Sequence, residues 1–289
     1  MSKSEDCVIK NRWDVLKEFT EARIGLGRVG VNLPTNELLA FQLAHAQAQD
    51  AVHLPLDVES LSQELNNMPI DMKLLNNQIT ETGLIQDGCT PILLHSKAQN
   101  RSIYLQRPDL GRRLDEHSIN LLKNFSNEDT TYDLAIVIVD GLSSFAIKEN
   151  AVKYIQKLTS SLANEQDSWK LAPITIVQQG RVAIGDEVGS LLNAKAVMVL
   201  VGERPGLSSP DSLGLYLTYN PKVGLTDAYR NCISNVRLDG LSYDEAVNKS
   251  MYLIKESRRV KLSGVNLKER TQDNIIENSF DEEKNFLIK

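Results

Sequence analysis

The chain has 289 residues, 42% of them hydrophobic, and a formal net charge of −6. That is enough apolar material for a real core, whereas polyanion binding needs clustered Lys and Arg, so nucleic acid is not expected as a partner. No stretch approaches the roughly 20 uninterrupted apolar residues that a membrane helix requires, and the start, Met1 to Asp14, has no hydrophobic leader core, so a cytoplasmic protein is expected.

The first third reads as helical and irregular. Trp13, Leu16, Phe19 and Ile24 recur at broadly helical spacing, and a glycine-bearing loop follows. A second helix is predicted from Pro34-Thr35 to about Val52, capped by Thr35 or Asn36 and packing one face inward. Leu110, Leu114, Ile119 and Leu121-Leu122 suggest a further helix.

From Asp133 short apolar runs alternate with helices, the pattern of strands covered on both faces. Leu134 to Val139 is too short and too β-branched for a helix, and it stops at Asp140-Gly141. Ile147, Ala151, Ile155, Leu158 and Leu162 form the crossover helix that a parallel connection needs. Ile174 to Val177 is the next strand, a helix spans 185–192, and Ala196 to Val201 is a further strand ended by Gly202-Glu203-Arg204-Pro205-Gly206. Leu213, Leu215, Leu217 and Tyr219 alternate with small or polar residues, which predicts a strand with one wetter face. Ser242-x-x-Glu245 is a capping box that opens an amphipathic helix through Val247, Met251 and Ile254.

The expected class is α/β: a Rossmann-like, largely parallel sheet flanked by helices, with an N-terminal helical region. The divisions are residues 1–130 for that region, 131–263 for the ligand-binding domain, and 264–289 for a polar, mobile tail. In such a sheet, ligands settle beyond the carboxyl ends of the strands, which puts Asp140-Gly141-Leu142-Ser143 and the Gly202–Gly206 loop on the functional edge.

Several motifs have bland alternatives. Gly25-x-Gly27-x-x-Gly30 matches a dinucleotide-binding pattern literally, but that chemistry needs a strand before the glycines and a helix opening on them, and here a helical segment precedes and Asn32-Leu33-Pro34 follows. A glycine turn with Arg23 and Arg28 exposed is the better reading, and a nicotinamide dehydrogenase is the weakest alternative. Asp115-x-His117-x-x-Asn120 resembles a histidine-on cobalamin signature without its final glycine, yet it falls in a helical segment, so a surface histidine is expected.

The three arginines Arg107, Arg112 and Arg113 fit a solvated cluster or an interface with an acidic surface. Glu203 could hold a cofactor's amides or pair with Arg204 or Arg181, and Cys232 could be a small buried hydrophobe. Cys7, Cys89 and Cys232 are widely spaced and odd in number, and His45, His53, His95 and His117 have no metal-ligand spacing, so neither a disulfide framework nor a protein-built metal site is expected. No nucleophile signature is present, and no catalytic residue is assigned.

Taken in order, the segments ARIGLGRVG, YLQRPDLGRRL, VDGLSS, QQGRVAIGDEVG, LVGERPGL and RNCISN resemble the small (light) subunit of ethanolamine ammonia-lyase, from about Leu16 to about Leu267. The resemblance implies conversion of ethanolamine to acetaldehyde and ammonia, with adenosylcobalamin between this chain and a large barrel-shaped subunit that holds the substrate and most of the reacting groups. It implies cobalamin contacts at Val182 (main chain or apolar packing), Glu203 (hydrogen bonding) and Cys232 (close packing). It also implies that cobalt keeps the cofactor's own base, so no histidine ligand is required. Some relatives work inside bacterial microcompartments, and the short N-terminus leaves that location open. The alternative is a non-catalytic cobalamin- or nucleotide-binding module.

Overall fold

The computed structural model describes residues 7–20, 22–69, 90–125 and 130–268. Most of the tail, residues 269–289, and Cys89 lie outside the described residues. The ordered elements are α1 (Thr35–His53), α2 (Val58–Asn66), β1 (Ile92–His95), α3 (Arg101–Gln106), α4 (Glu116–Phe125), β2 (Tyr132–Val139), α5 (Ser144–Ala163), β3 (Thr175–Gln178), α6 (Ile184–Leu191), β4 (Ala194–Gly202), β5 (Leu213–Tyr219), β6 (Arg230–Val236) and α7 (Tyr243–Val260).

The six strands form one sheet in the order β1-β3-β2-β4-β5-β6. Strand β2 is central because its residues are apolar on both faces. Leu134, Ile136 and Ile138 join α5 and α7 in one core cluster, and Ala135, Val137 and Val139 join α4 and α6 in the other. Helix α5 carries the chain from β2 to β3 on the first face, and α6 carries it back past β2 to β4 on the second. Opposite faces with opposite directions give both crossovers the same hand, as the right-handed rule for parallel connections requires.

The sheet is mixed, which corrects the expectation of a largely parallel, Rossmann-like one. Pairings among β1, β3, β2 and β4 are parallel, but β4–β5 and β5–β6 are antiparallel. The reason is local: a parallel return needs a crossover of about a dozen residues or more, usually helical. The segment from Glu203 to Ser212 holds two prolines and no helix, and that from Asn220 to Tyr229 holds only a 3₁₀ turn at Asp227–Tyr229. The α/β class itself stands.

The amino-terminal elements depart most from expectation. Among the described residues from Trp13 to Ile24 only a 3₁₀ turn forms, at Asp14–Glu18, and none of its residues is buried. Helix α1 has the expected extent, but Pro34 occupies its N-cap and no side chain caps it. It does not turn one face inward. Leu38, Leu39, Phe41 and Leu43 are 43%, 59%, 40% and 60% exposed, and Ala51 is its one buried residue. The physical cause is that these apolar residues are spread around the helix, so no single stripe faces the body.

Candidate functional site

At the carboxyl end of β2, Asp140 is only 1% exposed and accepts hydrogen bonds from the backbone N–H groups of Gln179 (2.8 Å) and Gly180 (3.0 Å). Arg101 Nη1 lies 3.8 Å from the carboxylate, and Arg101 also donates to the carbonyls of Val52 and Gly141. Ser143 caps α5 by accepting from Ala146 N. A Cβ at Gly202 would collide with the backbone carbonyl of Ser143, so glycine is what lets β4 end against this turn. The loop expected to face a ligand at Asp140 is thus engaged structurally.

Burial pushes the Asp140 carboxyl up to about 6, opposed by the two backbone N–H groups and Arg101. A carboxyl with a raised folded-state pKa contributes stability that is fully present below the ordinary range and is lost as pH rises through about 6. The difference in unfolding free energy between the native chain and Asp140→Asn should therefore narrow by about 1–2 kcal/mol between pH 5 and pH 7.5. Urea titrations at both pH values measure it, and a constant difference would contradict the protonation.

The antiparallel half of the sheet is covered unequally. On the first face α7 packs over β5 and β6, through residues such as Ala246, Leu253 and Ile254 against Leu215 and Ile233. On the second face α6 packs over β4 and stops there: a Cβ at Gly185 would strike Val199. What remains is a shelf. In register across it lie Val199, Tyr216 and Cys232, with Val201 beside Gly214 one step nearer the carboxyl edge.

Glu203 follows β4 directly and turns its side chain back over this shelf. A Cβ at Gly214 would sit 2.8 Å from Glu203 Oε1 and 3.1 Å from Tyr216 Cε2, so the missing side chain makes room for both. The Glu203 carboxylate accepts from the Ser212 hydroxyl and from Asn235 N at 3.3 Å. No ion pair to Arg181 or Arg204 forms among the described residues. Cys232 is exposed, which removes the reading of it as a buried hydrophobe. Partial desolvation, and after it the Glu203 charge, raises its thiol, while a hydrogen bond with Tyr216 acts in the opposite direction. Burial likewise raises the Tyr216 phenol, with the nearby Cys232 and Glu203 adding to it.

Glu203 and Cys232 therefore share one shelf, with Tyr216 between them. Val182 stands apart at the entrance to α6, half-buried against the second-face core that also supports Tyr216. Its carbonyl accepts from Gly185 N at 3.1 Å in the first turn, leaving an apolar side chain to present. Sequence reasoning missed Tyr216, Gly214 and Ser212. The alternation of Leu213, Leu215 and Leu217 marks the face opposite to theirs, so the wetter positions at Gly214 and Tyr216 were the available signal.

The remaining motifs resolve plainly. Gly25, Gly27 and Gly30 all have positive φ in an irregular turn, and Cβ atoms at the first two would meet the backbone of Trp13 and Ile9, which is a glycine turn. Arg23 lies over the Phe41 ring at 5.3 Å. His117 is exposed in the first turn of α4. Arg107 pairs with Asp109, and Arg113 forms a two-pronged pair with the buried Glu187 on α6 (3.1 and 2.8 Å), so the arginine-rich turn is largely satisfied within the chain. Among the described residues no three His, Cys, Asp or Glu side chains converge as a metal site, and no helix is long and apolar enough to cross a membrane.

The result is an open shelf floored by Gly214, a tyrosine ring and a thiol, with one carboxylate held over it as a hydrogen-bond acceptor. A compact charged ligand would need convergent cations there. A model of the family described as ethanolamine ammonia-lyase light chain (EutC) matches residues 10–268. The chain is 49% identical to the ethanolamine ammonia-lyase small subunit of Pseudomonas aeruginosa strain UCBPP-PA14 over 284 residues, covering 98% of this chain and 96% of the relative. It is 50% identical to that of Pseudomonas fluorescens strain Pf0-1 over 282 residues (96% and 95%), and 49% identical to that of Pseudomonas putida strain W619 over 282 residues (96% and 96%). With a match that runs through every described strand, and with relatives aligned nearly end to end, the chain belongs to the ethanolamine ammonia-lyase light chain family.

Proposed function

We propose that this chain is the cofactor-holding small subunit of an adenosylcobalamin-dependent ethanolamine ammonia-lyase, working in the cytoplasm with a large subunit that binds ethanolamine. The observation that carries the cofactor reading is the shelf left uncovered on one face of β5 and β6, with Glu203 and Cys232 brought together on it. When bound, the cofactor supplies a radical by homolysis of its cobalt–carbon bond. This chain's residues do the holding. Glu203 accepts hydrogen bonds from the amide rim, Cys232 packs closely on the shelf, and Val182 offers apolar contact at the mouth of α6. The Ser212 hydroxyl and Asn235 N–H keep the Glu203 carboxylate oriented without neutralising it.

The partner reading is supported by α1 and the preceding segment. Trp13, Phe19, Leu39 and Leu43 are 66%, 80%, 59% and 60% exposed, an apolar surface of the kind that subunit interfaces cover. Arg101 ties the end of α1 to the strand-end loop at Gly141, so that surface borders the sheet edge.

The test has two arms. The purified chain alone should leave ethanolamine unchanged, and mixing it with its large subunit and adenosylcobalamin should release acetaldehyde and ammonia. In the same complex, Cys232 should react with a thiol reagent before cofactor is added and be protected afterwards, and Glu203→Ala should weaken cofactor binding about tenfold, the size of losing a hydrogen bond to a charged group. Cofactor binding without any association with the large subunit would favour a non-catalytic cobalamin-binding module instead.

A further inference from the structure

Two sequence motifs, YLQRPDLGRRL from Tyr104 to Leu114 and the loop at Asp140-Gly141, contribute none of the three proposed contacts. Both nevertheless converge on the segment that leads into one of them. From Gln179 to Arg181 every backbone polar group has a partner. Gln179 N and Gly180 N donate to Asp140 at 2.8 and 3.0 Å. Gln179 O accepts from Ser96 Oγ at 2.7 Å, and Gly180 O accepts from the Tyr104 hydroxyl at 3.1 Å. Arg181 N donates to Gly111 O at 2.7 Å, and Arg181 O accepts from Ile184 N at 2.9 Å. Val182 is the next residue.

The clamp holds a conformation that the chain would not choose unaided. Gln179 has φ +55°, in the left-handed region that non-glycine residues occupy only when their surroundings over-determine it. Tyr104, fully buried, lies between the guanidinium groups of Arg101 (4.8 Å) and Arg181 (4.3 Å), which fixes its ring as well as its hydroxyl. A Cβ at Gly111 would meet Arg181 Cγ and Tyr104 Cε2 at 3.0 Å and Gln179 O at 3.1 Å, so the glycine of the arginine-rich turn permits that approach. Asp140 is the one group that accepts from two successive N–H groups, a task for which a carboxylate is suited because both its oxygens are acceptors.

We propose that Asp140 and Tyr104 are positioning residues for the cofactor, clamping residues 179–181 so that Val182 and the opening of α6 are presented to it in one geometry. This rests on the reading of Val182 as a cofactor contact. Asparagine at position 140 keeps the shape but turns an N–H₂ donor toward one of the two backbone donors, and the loop must relax. Phenylalanine at position 104 removes only the bond to Gly180 O.

The test assembles Asp140→Asn, Tyr104→Phe and Glu203→Ala small subunits with the large subunit and titrates each complex with cyanocobalamin, a cofactor analogue that cannot turn over, alongside the KM for adenosylcobalamin and kcat. Asp140→Asn should raise both the analogue's Kd and the cofactor KM about tenfold, Tyr104→Phe about threefold, with kcat at saturating cofactor nearly unchanged. A purely structural role would lower the melting temperature or the yield of complex while leaving Kd of the assembled fraction at its native value, and that outcome overturns the proposal. Should Asp140→Asn fail to fold, Tyr104→Phe decides by the same readout. Weakening by Glu203→Ala alone would overturn the clamp and leave the shelf standing, whereas native binding by all three variants would remove both.

Discussion

Replacing Asp186 with alanine is expected to lower the unfolding free energy by about 3–5 kcal/mol, because it strands a buried cation. The side chains of Asp186 and Arg230 are each 2% exposed and are directly hydrogen-bonded. Arg230 keeps only Asp227 Oδ1 at 2.8 Å, on a carboxylate that is 99% exposed, and the Leu225 carbonyl at 3.0 Å. Its Nε already lacks a partner, so removing Asp186 adds to donors that are buried and unsatisfied. Burial raises the Asp186 carboxyl and Arg230 opposes that shift, which is the balance expected of a pair whose attraction offsets a desolvation cost.

The location gives this pair a functional consequence. Asp186 belongs to α6, whose entrance carries Val182, and Arg230 opens β6, two residues before Cys232. The pair bolts that helix to the strand whose second face α6 otherwise leaves bare. Asp186→Ala should therefore also loosen cofactor binding in the assembled enzyme. Joint replacement, Asp186→Leu with Arg230→Met, should recover most of the stability, since no charge is left unpaired. Urea unfolding of the single and double variants measures both, and a loss under about 1 kcal/mol for the single variant would show that the guanidinium finds other partners.

The second large effect is on assembly. Leu39→Glu combined with Leu43→Glu should leave the isolated chain's stability within about 0.5 kcal/mol per site, because both residues already face solvent. The two are one helical turn apart and share a face. Burying two carboxylates in an apolar subunit interface without partners should weaken association with the large subunit about a hundredfold or more. Sedimentation or size-exclusion of mixtures at micromolar concentration reads this directly. Native association would mean that α1 lies outside the interface and that the large subunit meets another surface.

How much of this was legible beforehand depended on the range of the interactions involved. Strands β2, β3, β4 and β5 and helices α5, α6 and α7 were predictable within a few residues, because their periodicities are local and each is buried on a pattern set by its own side chains. The capping box at Ser242 and Glu245 is likewise a four-residue property, and it forms as read. Strand β1 was missed because four residues with a mixed burial pattern carry little periodicity. Strand β6 was missed because as an edge strand it has only Arg230, Ile233 and Val236 buried, interrupted by an irregular register and a positive φ at Asn235.

The sequence by itself determined the α/β class, the central strands and the family, since motifs and short-period patterns are properties of neighbours along the chain, while the candidates Val182, Glu203 and Cys232 came through the family resemblance. Only the tertiary structure decided that the sheet turns antiparallel after β4, that Tyr216 stands between Glu203 and Cys232, and that α1 spends its apolar residues on the surface. It also decided that Asp140, which the sequence places at a ligand-facing edge, instead closes a clamp with a residue 39 positions away. Those outcomes depend on which distant segments pack together, and packing is settled by burial and by hydrogen-bond satisfaction over the whole chain.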